Sequence, residues 1–342
     1  MENTDSSAGP SPSDLGLAVS NIQQHTQLIG YRNLLSYVSA LGVKVFPKTS
    51  FDVDSWTQIG SGSFSTTWEA NIVTETGTVV AVKQPNASFT RASTDVENSI
   101  QHEGLASIVQ ELRILAHAKL RAHPNLPHVL GVFFREEKYP DGIRPCVIFD
   151  LATSNLRKYL TCKDAGDISP SEMTRLASNA ADGIGALHAC GLVHGDVKPE
   201  NILLFMREGA LTAAVGDLGT CGAPNQISGI ITGTLSYCAP EYLDGSPFAD
   251  HVNKPSRDVY NYGLLLWSML TLCKEDPFPR GQQYDIQHND KAAVKSLLEK
   301  IPSNAAIPSF RNAILECVQS SPGNRPSIFE ASWTLDPASN MR

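Results

Sequence analysis

The segment 193–204, which reads VHGDVKPENILL, constrains the chain more than any other part of its sequence. It places a carboxylate, Asp196, and an amide, Asn201, five positions apart in a predicted turn that precedes an apolar, strand-like run. A carboxylate in this setting accepts a proton from a hydroxyl group, and an Asn oxygen coordinates a metal ion. A second carboxylate, Asp217, follows the strand predicted at 212–215. Either carboxylate alone is also typical of a helix cap or a turn; a magnesium–phosphate site is the interpretation that uses both.

A glycine-rich turn, IGSGSFS at 59–65, lies between two strand-like runs. Glycines there allow backbone N–H groups to approach phosphate oxygens without a Cβ clash, although an ordinary hairpin has the same appearance. The following strand, VAVK at 80–83, ends in Lys83. A half-buried lysine needs a carboxylate partner, which Glu111 can supply, whereas a surface lysine with an apolar stem needs none. The combination of glycine turn, lysine and two carboxylates favours a phosphate site.

The composition excludes several other classes of protein. Among the 342 residues, 42% are apolar, which is enough for a core and excludes wholesale disorder. The net charge of −8 argues against a broad nucleic-acid surface, so no nucleic-acid partner is expected. The longest apolar stretch, 262–273, is shorter than the roughly 18 residues needed to span a bilayer. Seven cysteines without a C-x-x-C pair, and an N-terminus without a secretory signal, predict a cytoplasmic protein with reduced thiols.

The N-terminal region divides into two segments. Residues 1–14 are rich in Ser, Pro and Gly and are predicted to be a disordered tail. Residues 15–50 form an extension with a predicted helix, and a helix packed on the main body is favoured over a docking or dimerising helix. Its apolar face, at spacings of three and four, consists of Leu28, Tyr31, Leu35 and Val38.

The remainder of the chain predicts a small strand-rich lobe at 51–152, a larger helical lobe at 153–335 and a short tail at 336–342. One helix, predicted around 108–121, interrupts the strands of the small lobe. A cleft between two such lobes is a common place for a ligand. The face of the predicted helix consists of Ile108, Leu112, Leu115 and Leu120.

In the large lobe, Ser169 and Glu172 form a predicted capping box with a proline between them, and Gly191 ends the helix that follows. Further helices are predicted around residues 258–273, 290–300 and 308–319.

With these motifs in order, the sequence resembles the eukaryotic protein kinase family over residues 53–335. The matching motifs also include DLG at 217–219, APE at 239–241 and the helix start DVYNYG at 258–263. Arg325 occupies the place of the family's late arginine, which pairs with the glutamate of APE, here Glu241. The resemblance implies an α+β, bilobal protein kinase fold, with a small antiparallel sheet and one main helix in the N-lobe and a larger helical C-lobe.

The resemblance also implies a role for each polar residue of the cleft, with ATP and Mg²⁺ as cofactors. Asp196 would accept the proton of the substrate hydroxyl, and Lys198 would contact the γ-phosphate. Asn201 and Asp217 would bind Mg²⁺. Lys83 would hold the α- and β-phosphates.

For the nucleotide, Phe149 would be the gatekeeper, and backbone groups of Asp150 and Ala152 would bind adenine between Ala81 and Leu203. The full nucleotide-binding set implied by the resemblance is Ile59, Gly60, Gly62, Phe64, Thr67, Ala81, Lys83, Glu111, Phe149, Asp150, Ala152 and Leu203.

Three positions depart from the family pattern. Gly195 replaces the Arg of H-R-D. In the family this Arg normally meets a phosphate on the activation segment, here residues 217–241, so a phosphate there loses its principal partner. Ser65 replaces the third glycine of the turn, and Leu218 replaces the Phe of D-F-G. None of these changes removes a catalytic group.

Two other functions share part of this pattern. Small-molecule phosphotransferases related to aminoglycoside and choline kinases also have an H-G-D motif, but typically lack the glycine turn, the APE segment and the late arginine. A pseudokinase scaffold usually loses the lysine, Asp or Asn, all of which are present. Lys198 and Thr234 are typical of kinases that modify Ser and Thr of proteins, and the ending GNRPS resembles the tyrosine-kinase-like group.

Overall fold

The computed structural model describes residues 31–335, with gaps at 63, 76, 87–88, 91–98, 139–140, 165, 225–233, 244–253, 279–289 and 304–306. The predicted tails at 1–14 and 336–342, and the part of the extension before residue 31, lie outside the described residues.

The small lobe is built on a seven-stranded sheet in the order β1-β6-β7-β4-β3-β2, with β5 beside β7. Its strands are β1 (Val45–Phe46), β2 (Thr57–Ser61), β3 (Ser65–Asn71), β4 (Val79–Pro85), β5 (Phe89–Thr90), β6 (Val129–Lys138) and β7 (Asp141–Asp150).

Strand β1 adds one parallel pair to the antiparallel sheet that the resemblance implies. It pairs in parallel with β6, whereas the other pairs are antiparallel. The approach is close, because a Cβ atom on Gly131 would lie 2.5 Å from the carbonyl oxygen of Lys44 and 2.6 Å from the ring of Phe46. The sheet therefore includes residues that precede the predicted start of the lobe at residue 51.

Strand β4 divides its side chains between two cores, because successive residues of a strand point to opposite faces. Val80 and Val82 are buried in a cluster with the edge-to-face rings of Phe51 and Phe133. Ala81 belongs instead to the core shared with helix α2. The same alternation places Lys83 on the α2 side of the sheet.

Helix α2 (Ser99–Ala116) is the main helix of the small lobe. Its residues Ile108, Leu112 and Leu115 are buried as predicted. Leu120 is buried too, but it lies in the turns after the helix, so the predicted helical face was wrong at this residue. Its spacing of five does not return to one face of a helix with 3.6 residues per turn.

Helix α1 (Tyr31–Ala40) is the described part of the extension. Leu34 and Val38 are buried in the same core as residues of α2, and Leu35 packs against that core from its edge. The helix therefore packs on the main body. Leu34 and Val38 form its buried face, and the predicted Leu35 lies at the edge of that face.

The large lobe contains six described helices and a three-stranded antiparallel sheet in the order β10-β9-β8. These elements are α3 (Leu156–Thr161), α4 (Pro170–Ala189), α5 (Pro255–Leu270), α6 (Asp290–Lys300), α7 (Pro308–Cys317), α8 (Ile328–Trp333), β8 (Ser154–Asn155), β9 (Ile202–Arg207) and β10 (Ala210–Val215). Within the described ranges, no helix has both the length and the apolar character that crossing a bilayer requires.

The start of α4 corrects one sequence prediction. The Ser169 hydroxyl accepts the N–H of Glu172 at 3.1 Å, as in a capping box. The carboxylate of Glu172, however, accepts the hydroxyl of Tyr159 at 2.7 Å instead of completing the box. Gly191 ends this helix with a φ of +70°, a conformation that glycine adopts without strain.

Candidate active site

Lys83 connects three elements of the structure. Its Nζ atom donates to Glu111 Oε2 of α2 at 2.7 Å and to Asp217 Oδ1, after β10, at 2.8 Å. Burial alone would lower the pKa of Lys83, but the two carboxylates raise it above its usual value. The side chain, only 12% exposed, is therefore a permanent cation at the inner end of β4.

Asp217 has a φ of +60°, a left-handed conformation that Asp tolerates better than most residues. The nearby Lys83 lowers the pKa of Asp217 against the opposing effect of burial, and His194 and Lys198 lower it further. Its side chain is 45% exposed. Asp217 is thus an ionised carboxylate with one oxygen on Lys83 and room for a ligand at the other.

The residues predicted to be catalytic form one hydrogen-bonded network. The Lys198 ammonium donates to Asp196 Oδ2 at 2.6 Å and to Thr234 Oγ1 at 2.7 Å. The N–H of Thr234 donates to Asp196 Oδ1 at 3.0 Å. Asn201 Nδ2 donates to the carbonyl oxygen of Asp196 at 2.8 Å and to its carboxylate at 3.1 Å. Both oxygens of Asp196 are therefore held in fixed directions.

Asp258, in the first turn of α5, holds the backbone just before Asp196. Its carboxylate accepts the N–H groups of His194 at 2.7 Å and Gly195 at 2.8 Å, and contacts His188 Nε2 at 2.8 Å. Burial would raise the pKa of Asp258, but these hydrogen bonds and the neighbouring histidines lower it. An ionised, buried carboxylate thus fixes the catalytic loop, residues 193–201, to a helix of the large lobe.

The donor atoms fit the predicted metal. Because Asn201 uses its amide nitrogen on Asp196, its oxygen is the atom left for coordination. Asp217 adds an ionised carboxylate. Mg²⁺ prefers oxygen ligands and is usually bound by one or two side chains together with phosphates and waters.

The glycine turn leaves space that the fold itself does not need. A Cβ atom on Gly60 would lie 3.8 Å from the Thr67 side chain, and one on Gly62 would lie 3.6 Å from the Ser65 carbonyl oxygen. Neither distance is a clash, and neither glycine has a left-handed backbone. Close approach of a ligand such as a phosphate is therefore a better reason for these glycines than folding is.

Two contacts fix the edges of this turn. The Phe64 carbonyl oxygen accepts the N–H of Asn86 at 2.9 Å and lies beside Gly104 of α2. The Ile59 carbonyl oxygen accepts Lys158 Nζ, on α3 of the large lobe, at 3.2 Å. The second contact connects the two lobes.

The segment after β7 has the features needed to bind a base. Phe149 lies opposite Ala81 in the β4–β7 register and is largely buried. Because the N–H of Asp150 donates to the His128 carbonyl oxygen at 3.2 Å, a ligand can use only the carbonyl oxygen of Asp150. The Ala152 N–H has no hydrogen-bond partner within the described part of the chain. Leu203, on β9, is half-buried.

Glu241 and Arg325 form the buried pair that the resemblance implies. Their two parallel contacts measure 2.6 and 2.7 Å, and both side chains are almost fully buried.

A known protein family matches most of the chain. Residues 54–334 match the family model described as protein kinase domain. The chain belongs to the protein kinase family. The resemblance and the kinase fold predicted from the motifs are therefore confirmed.

Three curated relatives show how far this chain resembles individual proteins. The dual specificity protein kinase shkD of Dictyostelium discoideum is 28% identical over 292 residues, which cover 83% of this chain and 34% of that protein. The serine/threonine-protein kinase PkaA of Streptomyces coelicolor is 27% identical, and the match covers 79% of this chain and 46% of that protein. Human mitogen-activated protein kinase kinase kinase 1 is 27% identical, and the match covers 81% of this chain and 18% of that protein. The chain spans less than half the length of these relatives.

The sequence motifs give no site role to two residues near Asp196. Asp258 belongs to a motif that marks only the start of a helix, although its carboxylate binds the N–H groups of His194 and Gly195. Arg257 belongs to no motif, although its guanidinium group lies against Gly195. The departure at Gly195 was the one available signal, because a missing side chain in a buried loop leaves a volume that another residue has to fill.

Proposed function

We propose that this chain transfers the γ-phosphoryl group of ATP to Ser and Thr hydroxyl groups of protein substrates. The observation that carries the proposal is the network that joins Asp196, Lys198 and Asn201 to Thr234. A substrate hydroxyl at Asp196 would find a carboxylate with both oxygens oriented and a cation within 2.6 Å of it. Phosphoryl transfer depends mainly on positioning and charge stabilisation, which such a network provides.

Each part of the site has a role in this proposal. Bound Mg²⁺ would neutralise phosphate charge, with Asn201 and Asp217 as its protein ligands. Lys83 would hold the α- and β-phosphates, and Glu111 keeps its ammonium group in place at 2.7 Å. Asp196 would orient the hydroxyl group and receive its proton. Lys198 would stabilise the charge on the transferred group.

A protein substrate is favoured over a small alcohol because the described segment 234–243 is part of the site. Thr234 contacts both Asp196 and Lys198. Glu241, seven residues later, is fixed by the buried Arg325. The acidic net charge of −8 supports the absence of a nucleic-acid partner. The seven free cysteines support a cytoplasmic location.

The acceptor residue is tested with matched peptides that carry Ser, Thr or Tyr at one position in otherwise identical sequences. Purified protein, Mg²⁺ and labelled ATP are expected to label the Ser and Thr peptides, because Thr234 and Lys198 surround the acceptor position as in kinases of this type. The name of shkD includes dual specificity, so the Tyr peptide is a necessary arm.

Asp196→Asn serves as the control in this assay, since it keeps the shape of the side chain and removes the proton acceptor. Phosphotyrosine as the main product would overturn the specificity. Labelling of choline or an aminoglycoside, but of no peptide, would favour the small-molecule phosphotransferase. Equal labelling by the wild type and Asp196→Asn would contradict the role of Asp196.

We also propose that activity does not require phosphorylation of the activation segment, 217–241. This segment contains no Lys or Arg, and Gly195 offers no side chain to a phosphate. The candidate acceptors Ser228 and Thr232 lie outside the described residues. Arg257 lies beside Gly195 but is only 2% exposed, so a phosphate would have to displace buried contacts to reach it.

Phosphatase treatment tests this independence from phosphorylation. Once mass spectrometry shows that the segment carries no phosphate, turnover is expected to equal that of the untreated protein. A loss of about tenfold or more, equivalent to about 1.4 kcal/mol in the barrier, would show that the segment uses a phosphate switch if rephosphorylation restored it.

A further inference from the structure

Gly195 faces a side chain that comes from a different element of the fold. Its φ is +81°, and an ideal Cβ atom built on it would lie 3.3 Å from Nη1 and 3.6 Å from Cζ of Arg257. The carbonyl oxygen of Thr220 would be 3.8 Å away. The guanidinium group of Arg257 thus lies directly beside the point at which a side chain of residue 195 would begin.

The surroundings of Arg257 connect three parts of the site. Its guanidinium carbon lies 4.2 Å from the centre of the Tyr242 ring, directly after the 239–241 motif. Burial raises the pKa of Cys238 to about 11, and Arg257 opposes this increase while Glu241 and Asp196 add to it. The charges of Arg257 and Asp196 therefore both act on the same buried thiol. The cation lies among the catalytic loop, the APE segment and the start of α5.

The position of Arg257 is unfavourable for a residue that only fills space. It lies in the first turn of α5, where the helix dipole disfavours a cation. It is also almost fully buried, which is costly for a charged group unless other groups compensate. An apolar side chain of similar volume would fill the same space without placing a charge there, so filling space alone does not account for Arg257.

We propose that Arg257 is a positioning residue, whose guanidinium group replaces the side chain that Gly195 lacks and thereby fixes Asp196. It packs against the glycine while the neighbouring Asp258 binds the N–H groups of Gly195 and His194. Without it, the glycine before Asp196 would keep only the Thr220 carbonyl oxygen near this side, and glycine is the most flexible residue. This inference rests on the proposed phosphoryl transfer to proteins.

The test transfers the arginine from position 257, on α5, to position 195. Arg257→Ala is expected to lower kcat by about tenfold or more, with the KM for ATP changed by less than about twofold, because Asp196 is misplaced while the nucleotide site is intact. Gly195→Arg alone is also expected to lower kcat, since two guanidinium groups would share one volume. The double variant Gly195→Arg, Arg257→Ala removes this overlap but keeps the strain of an arginine at a φ of +81°, so its kcat is expected to exceed that of Gly195→Arg alone.

Arg311→Ala, on α7, is the matched control and is expected to leave kcat unchanged. Thermal unfolding and Mg-ATP binding establish that each variant is folded. Should Arg257→Ala not fold, Arg257→Lys replaces it, since it keeps the charge but not the planar group and is expected to lower kcat several-fold.

Wild-type kcat in the Arg257 variant, or a double variant no more active than Gly195→Arg alone, would overturn the inference. Failure of the proposed function has a different result, namely no turnover by the wild type on any peptide. In that case the effect of Arg257 on turnover is rejected. The unfolding midpoints of the wild type, the two single variants and the double variant still measure the contact between positions 195 and 257.

Discussion

Replacement of Lys83 by Met is expected to lower kcat by at least about 100- to 1,000-fold, because a preorganised charge aimed at the phosphates is lost. The structure adds a second reason for the loss. Without the ammonium group, Glu111 and Asp217 would face each other as carboxylates across the space that Lys83 Nζ bridges at 2.7 and 2.8 Å. Their repulsion would move Asp217 from the position in which it can bind Mg²⁺.

Turnover with a Ser or Thr peptide measures this effect, and circular dichroism shows whether the variant is folded. Lys295→Met is a suitable control, since Lys295 is an exposed lysine whose contact is Glu299 on the same helix. Glu111→Gln should lower kcat in the same direction but by less, because the lysine keeps its contact with Asp217. Substantial turnover by a folded Lys83→Met variant would contradict the role of Lys83.

Replacement of Arg325 by Met is expected to give the largest loss of stability, about 3–5 kcal/mol, because a buried carboxylate is left without its partner. The guanidinium group makes both contacts with Glu241. It also donates to three carbonyl oxygens, and its plane lies over the ring of Tyr260 at 4.8 Å. Those three acceptors belong to Ser256, Gln319 and Ser320. All five N–H groups of Arg325 are therefore used.

Urea unfolding measures this loss, with the tryptophan fluorescence of the large lobe as the signal. The double variant Arg325→Met, Glu241→Gln is expected to be more stable than Arg325→Met, since it removes the unpaired charge. Arg311→Met, at a partly exposed arginine of α7, should change stability by less than about 0.5 kcal/mol. If Arg325→Met lost no more than Arg311→Met, the buried pair would not be an anchor of the lobe.

The polar residues of the site could be predicted because each belongs to a short motif of fixed order. A lysine that is partly buried on a strand needs a carboxylate partner, and Glu111 was the residue that could supply it. The structure forms this ion pair and adds a second one with Asp217, which burial and charge alone did not indicate. Asp196 and Asn201 are five residues apart, so that a single turn brings them together.

The parts that could not be predicted depend on contacts between distant segments. Strand β1 has only two residues, and nothing in Val45 and Phe46 alone indicates parallel pairing with β6. The carboxylate of Glu172 had two possible partners, and the structure pairs it with Tyr159, which comes from another helix. Arg257 likewise acquires its position only when α5 packs against the catalytic loop. In each case tertiary packing decides between local alternatives of similar energy.

The short strand β1 protects an edge of the small-lobe sheet. Without it, β6 would present unpaired N–H and C=O groups along Val132 and Phe133, next to the aromatic surface that Phe46 now covers. Exposed strand edges with apolar neighbours pair readily with other chains and lead to aggregation. A fragment cut at residue 54, where the family match begins, would have this open edge, whereas one that retains residues 31–53 would keep it closed. The start of the family match at residue 54 is thus not the start of the folded sheet.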